Sequence, residues 1–136
     1  MANTDTTAFF SDTVFDPTSP QAGADLSAHQ HRIVKSQGTV DGDVIAATAG
    51  TGYGILANAP DDNGPARVAV GGPMKVMMGS TTGTVKRGTK LKADASAEAT
   101  AADTDEDWYV CSSLEDDPTA ATLCIVLVGC GYYAVA

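Results

Sequence analysis

From about His31 to the end, apolar residues come in short runs, each closed by glycine, proline or acidic residues. Arg32 to Lys35 is the first run, and the turn dipeptide Asp41-Gly42 leads to a second, Val44 to Thr48. Gly54 to Ala57 follows. The dense loop signal Pro60 to Pro65 separates it from Arg67-Val68-Ala69-Val70, which alternates polar and apolar as a half-exposed strand does. Gly71-Gly72-Pro73 predicts a break, then a strand over Pro73 to Met78, a turn over Gly79 to Gly83, and a strand over Val85 to Leu91. Trp108 to Cys111 and Thr122 to Val128 are further strands, divided by the acidic loop Glu115 to Pro118, and the ending "GCGYYAVA" is again β-prone. The Ala-rich stretch "ADASAEATAAD" has no apolar face at helical spacing beyond Ala itself, and is expected to be loop or frayed helix. The expected fold is mainly β: a small barrel or sandwich of short antiparallel strands with an extended N-terminal arm.

Residues 1–30 break this pattern. They are rich in Thr, Ser, Asp and Pro, with Pro17 and Pro20 marking extended chain. Yet all three phenylalanines of the protein, Phe9, Phe10 and Phe15, lie here beside Val14. Large apolar side chains on a polar segment imply that it docks on something. Two destinations are open, a partner chain and the segment's own domain, and aromatic enrichment at interfaces favours the partner. The chain thus divides into an arm, 1–30, and a β-rich body, 31–136.

Composition agrees with strands, because Thr and Val outnumber Leu and glycine is frequent. With 136 residues the chain has the size of one domain and can bury a core without disulfides. Charge adds a distribution. Residues 1–31 hold four acids and no base, 32–92 hold eight bases and four acids, and 93–136 hold nine acids and no base. A net charge of −9 repels nucleic acid, whose binding depends on Lys and Arg. The longest apolar stretch, Leu123 to Val128, is far short of the roughly 20 residues that span a membrane, and the first residues carry no signal-peptide pattern. Cys111, Cys124 and Cys130 are odd in number and widely spaced, which fits reduced thiols rather than disulfides or zinc.

Motifs for chemistry fail on their own requirements. Gly83 and Gly88 have the spacing of a phosphate loop, but Thr89 precedes Lys90 and no helix is expected to follow. Gly50, Gly52 and Gly54 lack the third glycine position and the helix of a dinucleotide fingerprint. Asp103, Asp105 and Asp107 alternate like the start of an EF-hand loop, but Trp108 and Leu114 stand where Gly and Glu are needed. His29 and His31 have no acid nearby in sequence to orient them, and no ligand at metal spacing. "GSTTG" is a polar turn, not a nucleophile elbow. No enzyme, catalytic residue, metal or cofactor is expected.

The order of the parts is itself informative. Gly54, Ile55, Leu56, Asn58 and Pro60 open a strand and turn; "ARVAVGG" follows. A Met-Lys-Val strand, a Gly-rich turn, "VKRGTKLKAD", a small-residue loop and "TLCIVLVG" complete the series. Over roughly residues 31 to 128 this resembles the small capsid cement, or head decoration, proteins of tailed bacteriophages. "DWYVCSSL" departs from the family, where a shorter loop and a G-x-A strand are usual. The resemblance implies a structural virion protein, made in the host cytoplasm and carried on the outer surface of the capsid. It would act as a homotrimer bridging neighbouring subunits of the phage's major capsid protein. On this reading Lys86, Arg87, Lys90 and Lys92 stud the exposed face of a hairpin and meet acidic patches on the shell or a sister subunit. Phe9, Phe10, Val14 and Phe15 anchor the arm on a neighbour. The alternatives are another virion β-module, such as a fibre or tail accessory, and a carbohydrate- or metal-binding β-domain that uses the acidic loops.

Overall fold

The computed structural model describes residues 10–38, 42–79, 85–102 and 107–133, and none of them is helical. The strands are β1 (Val14–Phe15), β2 (Gln21–Ala22), β3 (Ile33–Ser36), β4 (Asp43–Ala46), β5 (Gly54–Leu56), β6 (Val68–Met77), β7 (Lys90–Ala93), β8 (Ala99–Ala101), β9 (Trp108–Ser113) and β10 (Leu123–Tyr132). They join in one sheet of order β2-β4-β3-β5-β6-β10-β9-β7-β8, with β1 added to β6. Every pairing is antiparallel except β2 with β4. Of the two expected architectures the barrel is not reached, because the sheet stays open. A single bridge between Met78 and Ala99 brings β8 back beside the end of β6, so that half of the sheet curls on itself.

β6 is the spine. Its first half pairs with β5 through Ala69 and Val68 and, on the other edge, with β1, where Phe15 also faces Ala69. Its second half, Gly72 to Met77, pairs with β10. Gly71-Gly72-Pro73 therefore does not end the strand as the sequence predicts. Gly72 has φ +75°, which only glycine adopts freely, and a Cβ there would run into the Asp12 carbonyl. The glycine bends a continuous strand from one half of the sheet into the other.

The Ala-rich stretch is a second correction. It is the hairpin β7–β8, with Leu91 opposite Ala101 and Ala93 opposite Ala99. Asp94 Oδ1 accepts the backbone N–H groups of Ser96 (2.8 Å) and Glu98 (3.0 Å), which fixes the turn. Ala93, Ala97 and Ala99 are buried, so alanine serves as a thin interior side chain. Residues 85–89 also differ from the expected strand: Thr89 N–H bonds back to the Lys86 carbonyl at 2.9 Å, and the strand begins only at Lys90.

Alternation along β3, β5 and β6 fills two cores. Ile33, Ile55 and Ala69 point into a large cluster with Met74, Val76, Leu91, Val110, Cys111 and Val126. Their neighbours Val34, Leu56 and Val68 point the other way, into a smaller cluster with Ala22, Leu26, Val44 and Ala66. Leu26 and Ala22 belong to the segment 1–30, so that segment covers one face of the sheet. Packing crosses the boundary at residue 30.

Candidate functional site

The described part of the arm lies along its own body. Thr13 Oγ1 donates to the Pro73 carbonyl at 2.6 Å, and Asp16 N–H donates to the Val68 carbonyl at 2.8 Å. Phe15 packs against the large core with the Arg67 guanidinium 4.2 Å above its ring centroid. The Phe10 ring lies 5.5 Å from Lys75 Nζ. Lys75 itself is 1% exposed, so this cation sits where water cannot reach it and the ring face supplies part of its solvation. Val14 stays 55% exposed, and Phe9 lies outside the described residues.

Asp16 ties the arm down further. Burial alone would raise its carboxyl pKa, but hydrogen bonds from the Thr18 hydroxyl and N–H and from Tyr53 Oη (2.8 Å) outweigh it and hold the value below the usual range. Tyr53 is raised in turn, by burial and then by Asp16.

The basic hairpin is not one exposed face. Lys86 and Arg87 are exposed at the turn, whereas Lys90 and Lys92 are half-buried on β7. Each has a partner within the chain. Lys86 Nζ bonds Asp117 at 2.7 Å, which raises the Lys86 pKa. Arg87 donates its backbone N–H to Asp116 Oδ1 at 2.9 Å and its guanidinium to the Leu114 carbonyl at 2.8 Å. Lys90 Nζ reaches Ser112 Oγ at 3.0 Å and lies 5.0 Å from the Tyr109 ring centroid. Lys92 Nζ pairs with Asp107 at 2.9 Å. The basic segment thus answers the acidic segment of its own chain. Of the two glycines expected to shape the hairpin, Gly88 takes φ +93°, and Gly83 lies outside the described residues.

The sequence singled out His29 and His31. His31 is buried, and its pKa is pushed down by burial first and by the neighbouring Lys75 charge second. Among the described residues no three His, Cys, Asp or Glu side chains converge on a common point. Asp103 and Asp105 of the acidic run lie outside the described residues. Cys111 and Cys124 are buried thiols raised chiefly by burial, Cys124 to about 11, and Cys130 is exposed.

The sequence reading named Val14 but assembled neither of two exposed features. One is the seam where β1 and β10 meet β6. Val14 stands opposite Gly71 there, and Leu127, 49% exposed, stands opposite Pro73 two positions away. The other is the end of the β9–β10 ribbon, where Trp108 faces Tyr132 across the register beside the Gly50–Gly52 turn. The signal was present as "DWY" and "GYY", which the antiparallel pairing brings to the same end of the ribbon. No protein-family model and no curated protein sequence matches this chain.

Proposed function

We propose that the protein is a structural component of a tailed-phage virion. It binds the outer surface of the assembled head as a homotrimer and bridges neighbouring major capsid subunits. The observation that carries this reading is the uncovered seam: two large apolar side chains, Val14 and Leu127, left in water at neighbouring positions along β6. Apolar side chains placed so are what a partner surface removes from water. The resemblance in pattern, composition and the order of the parts over residues 31 to 128 supplies the kind of partner. A protein that binds only the intact shell stabilises it by mass action, and several simultaneous contacts multiply the effect.

The test is co-sedimentation with purified heads that lack the protein, alongside light scattering for its mass in solution. The chain is expected to run as a trimer and to sediment with heads. The Val14→Asp/Leu127→Asp variant is expected to melt as the parent does and to stay in the supernatant. A parent chain that ignores intact heads overturns the function. A double variant that binds like the parent moves the contact off this seam.

A further inference from the structure

We propose that the cleft at the end of the β9–β10 ribbon binds a neutral saccharide. The cleft is shallow and open, with a volume of about 540 Å³, and is formed by Gly50, Thr51, Gly52, Asp107, Trp108 and Tyr132. Its platform is Tyr132, 72% exposed at the end of β10, beyond the stretch paired with β6. The ring is held rather than loose. It meets the Trp108 indole edge-on, with centroids 5.0 Å apart and planes at 71°, and Trp108 Nε1 donates to the Gly52 carbonyl at 2.6 Å. An aromatic face is electron-rich and attracts the slightly positive C–H bonds on one side of a sugar ring. A ring with its orientation already fixed loses little entropy when the ligand arrives.

The polar groups choose among ligands. Asp107 and Lys92 form a pair at 2.9 Å, with side chains only 21% and 24% exposed. The pair holds the Asp107 carboxylate at the cleft. A carboxylate accepts from hydroxyl groups, so a neutral polyol suits it, and it repels anions. The protein's net charge of −9 further opposes acidic sugars. The facing wall carries no side chain at Gly50, which has φ +73° and open space where a Cβ would stand, so a ring can approach the backbone there. The site is separate from the seam at Val14 and Leu127, and it stands whether or not that seam binds a shell.

Trp108 is the single tryptophan of the chain, so the fluorescence of the intact protein reports on this cleft directly. Maltotriose, cellotriose and tri-N-acetylchitotriose are titrated to about 50 mM, with sialyllactose as the acidic control, a range set by the millimolar affinity expected of a shallow one-platform site. At least one neutral trisaccharide is expected to give a saturable change, weakened about fivefold or more in Tyr132→Ala and held within about twofold in Tyr132→Phe, which keeps the ring. Head co-sedimentation of Tyr132→Ala is expected to match the parent. The proposal is overturned by a response that never saturates with any neutral sugar, by saturation with sialyllactose alone, or by Tyr132→Ala binding as tightly as the parent. A Tyr132→Ala variant that loses heads but keeps its sugar response also overturns it, and assigns the cleft to the shell.

Discussion

His31 is held neutral by its surroundings, and that has a measurable sign. Burial and the Lys75 charge lower its folded pKa below the ordinary 6.5. The unfolded chain therefore takes up a proton at higher pH than the folded one does. Stability from this residue is complete above pH 6.5 and is lost as pH falls through the folded value. The melting temperature is expected to drop between pH 7.5 and 5, and His31→Asn should flatten that drop. Asn suits the test because His31 has φ +68°, a conformation Asn tolerates. Asp16 also has a lowered pKa, but its effect sets in only around and below its ordinary value of 3.8, outside the range from pH 7.5 to 5. A melting curve unchanged from pH 7.5 to 5 would place His31 in a fully solvated setting. The thiols give a second residue-scale check. Cys130 is exposed and should react with a thiol reagent in the native protein, while Cys111 and Cys124 should react only on unfolding. Three equally fast thiols would contradict the burial of β9 and β10.

Elements were legible where period 2 was backed by branched side chains, and illegible where backbone geometry decided. Ile33-Val34, Ile55-Leu56 and Val68-Ala69 read as strands because both faces are buried and apolar. Gly71-Gly72-Pro73 read as a stop because the same residues end most strands; here the positive φ at Gly72 bends β6 and the ladder to β10 resumes at once. Gly72→Ala should cost about 1–3 kcal/mol by urea unfolding, since it forces a strained φ and drives a methyl group into the Asp12 carbonyl. A change within error would mean that β6 bends elsewhere. The β7–β8 hairpin was hidden because Ala signals helix by propensity, while the Asp94 turn that overrides it depends on two hydrogen bonds. The arm's course was illegible for another reason. Its polar composition suits either destination, and only the pairing of Phe15 with Ala69 and the Asp16–Tyr53 bond distinguishes them. Deleting residues 1–16 should accordingly lower stability, on the order of 2–4 kcal/mol for a half-buried Phe, a short strand and a buried hydrogen bond.

At the scale of the whole molecule, the charge partition seen in the sequence has a different meaning in three dimensions. The basic middle and the acidic ends look like complementary surfaces for separate chains. Folding instead lays Lys86 on Asp117, Lys92 on Asp107 and Arg32 on Glu98, at 2.7, 2.9 and 3.8 Å. At least three of the eight basic side chains thus meet acids of their own chain, and the field that a partner meets is that of an acidic protein with a net charge of −9. A shell contact then depends on apolar contact at the Val14–Leu127 seam more than on ion pairs, and the two modes answer salt differently. At about 1 M salt the screening length falls to about 3 Å, so exposed ion pairs across an interface weaken while apolar burial persists. Protein bound to heads at low salt is expected to remain bound at about 1 M sodium chloride, and Lys86→Ala/Arg87→Ala is expected to bind like the parent. Release at high salt, together with loss of binding in that double variant, would return the contact to the basic hairpin. The Lys86–Asp117 pair and the bond from the Arg87 guanidinium to the Leu114 carbonyl would then have to open when the partner arrives, because the same two side chains cannot hold both surfaces at once.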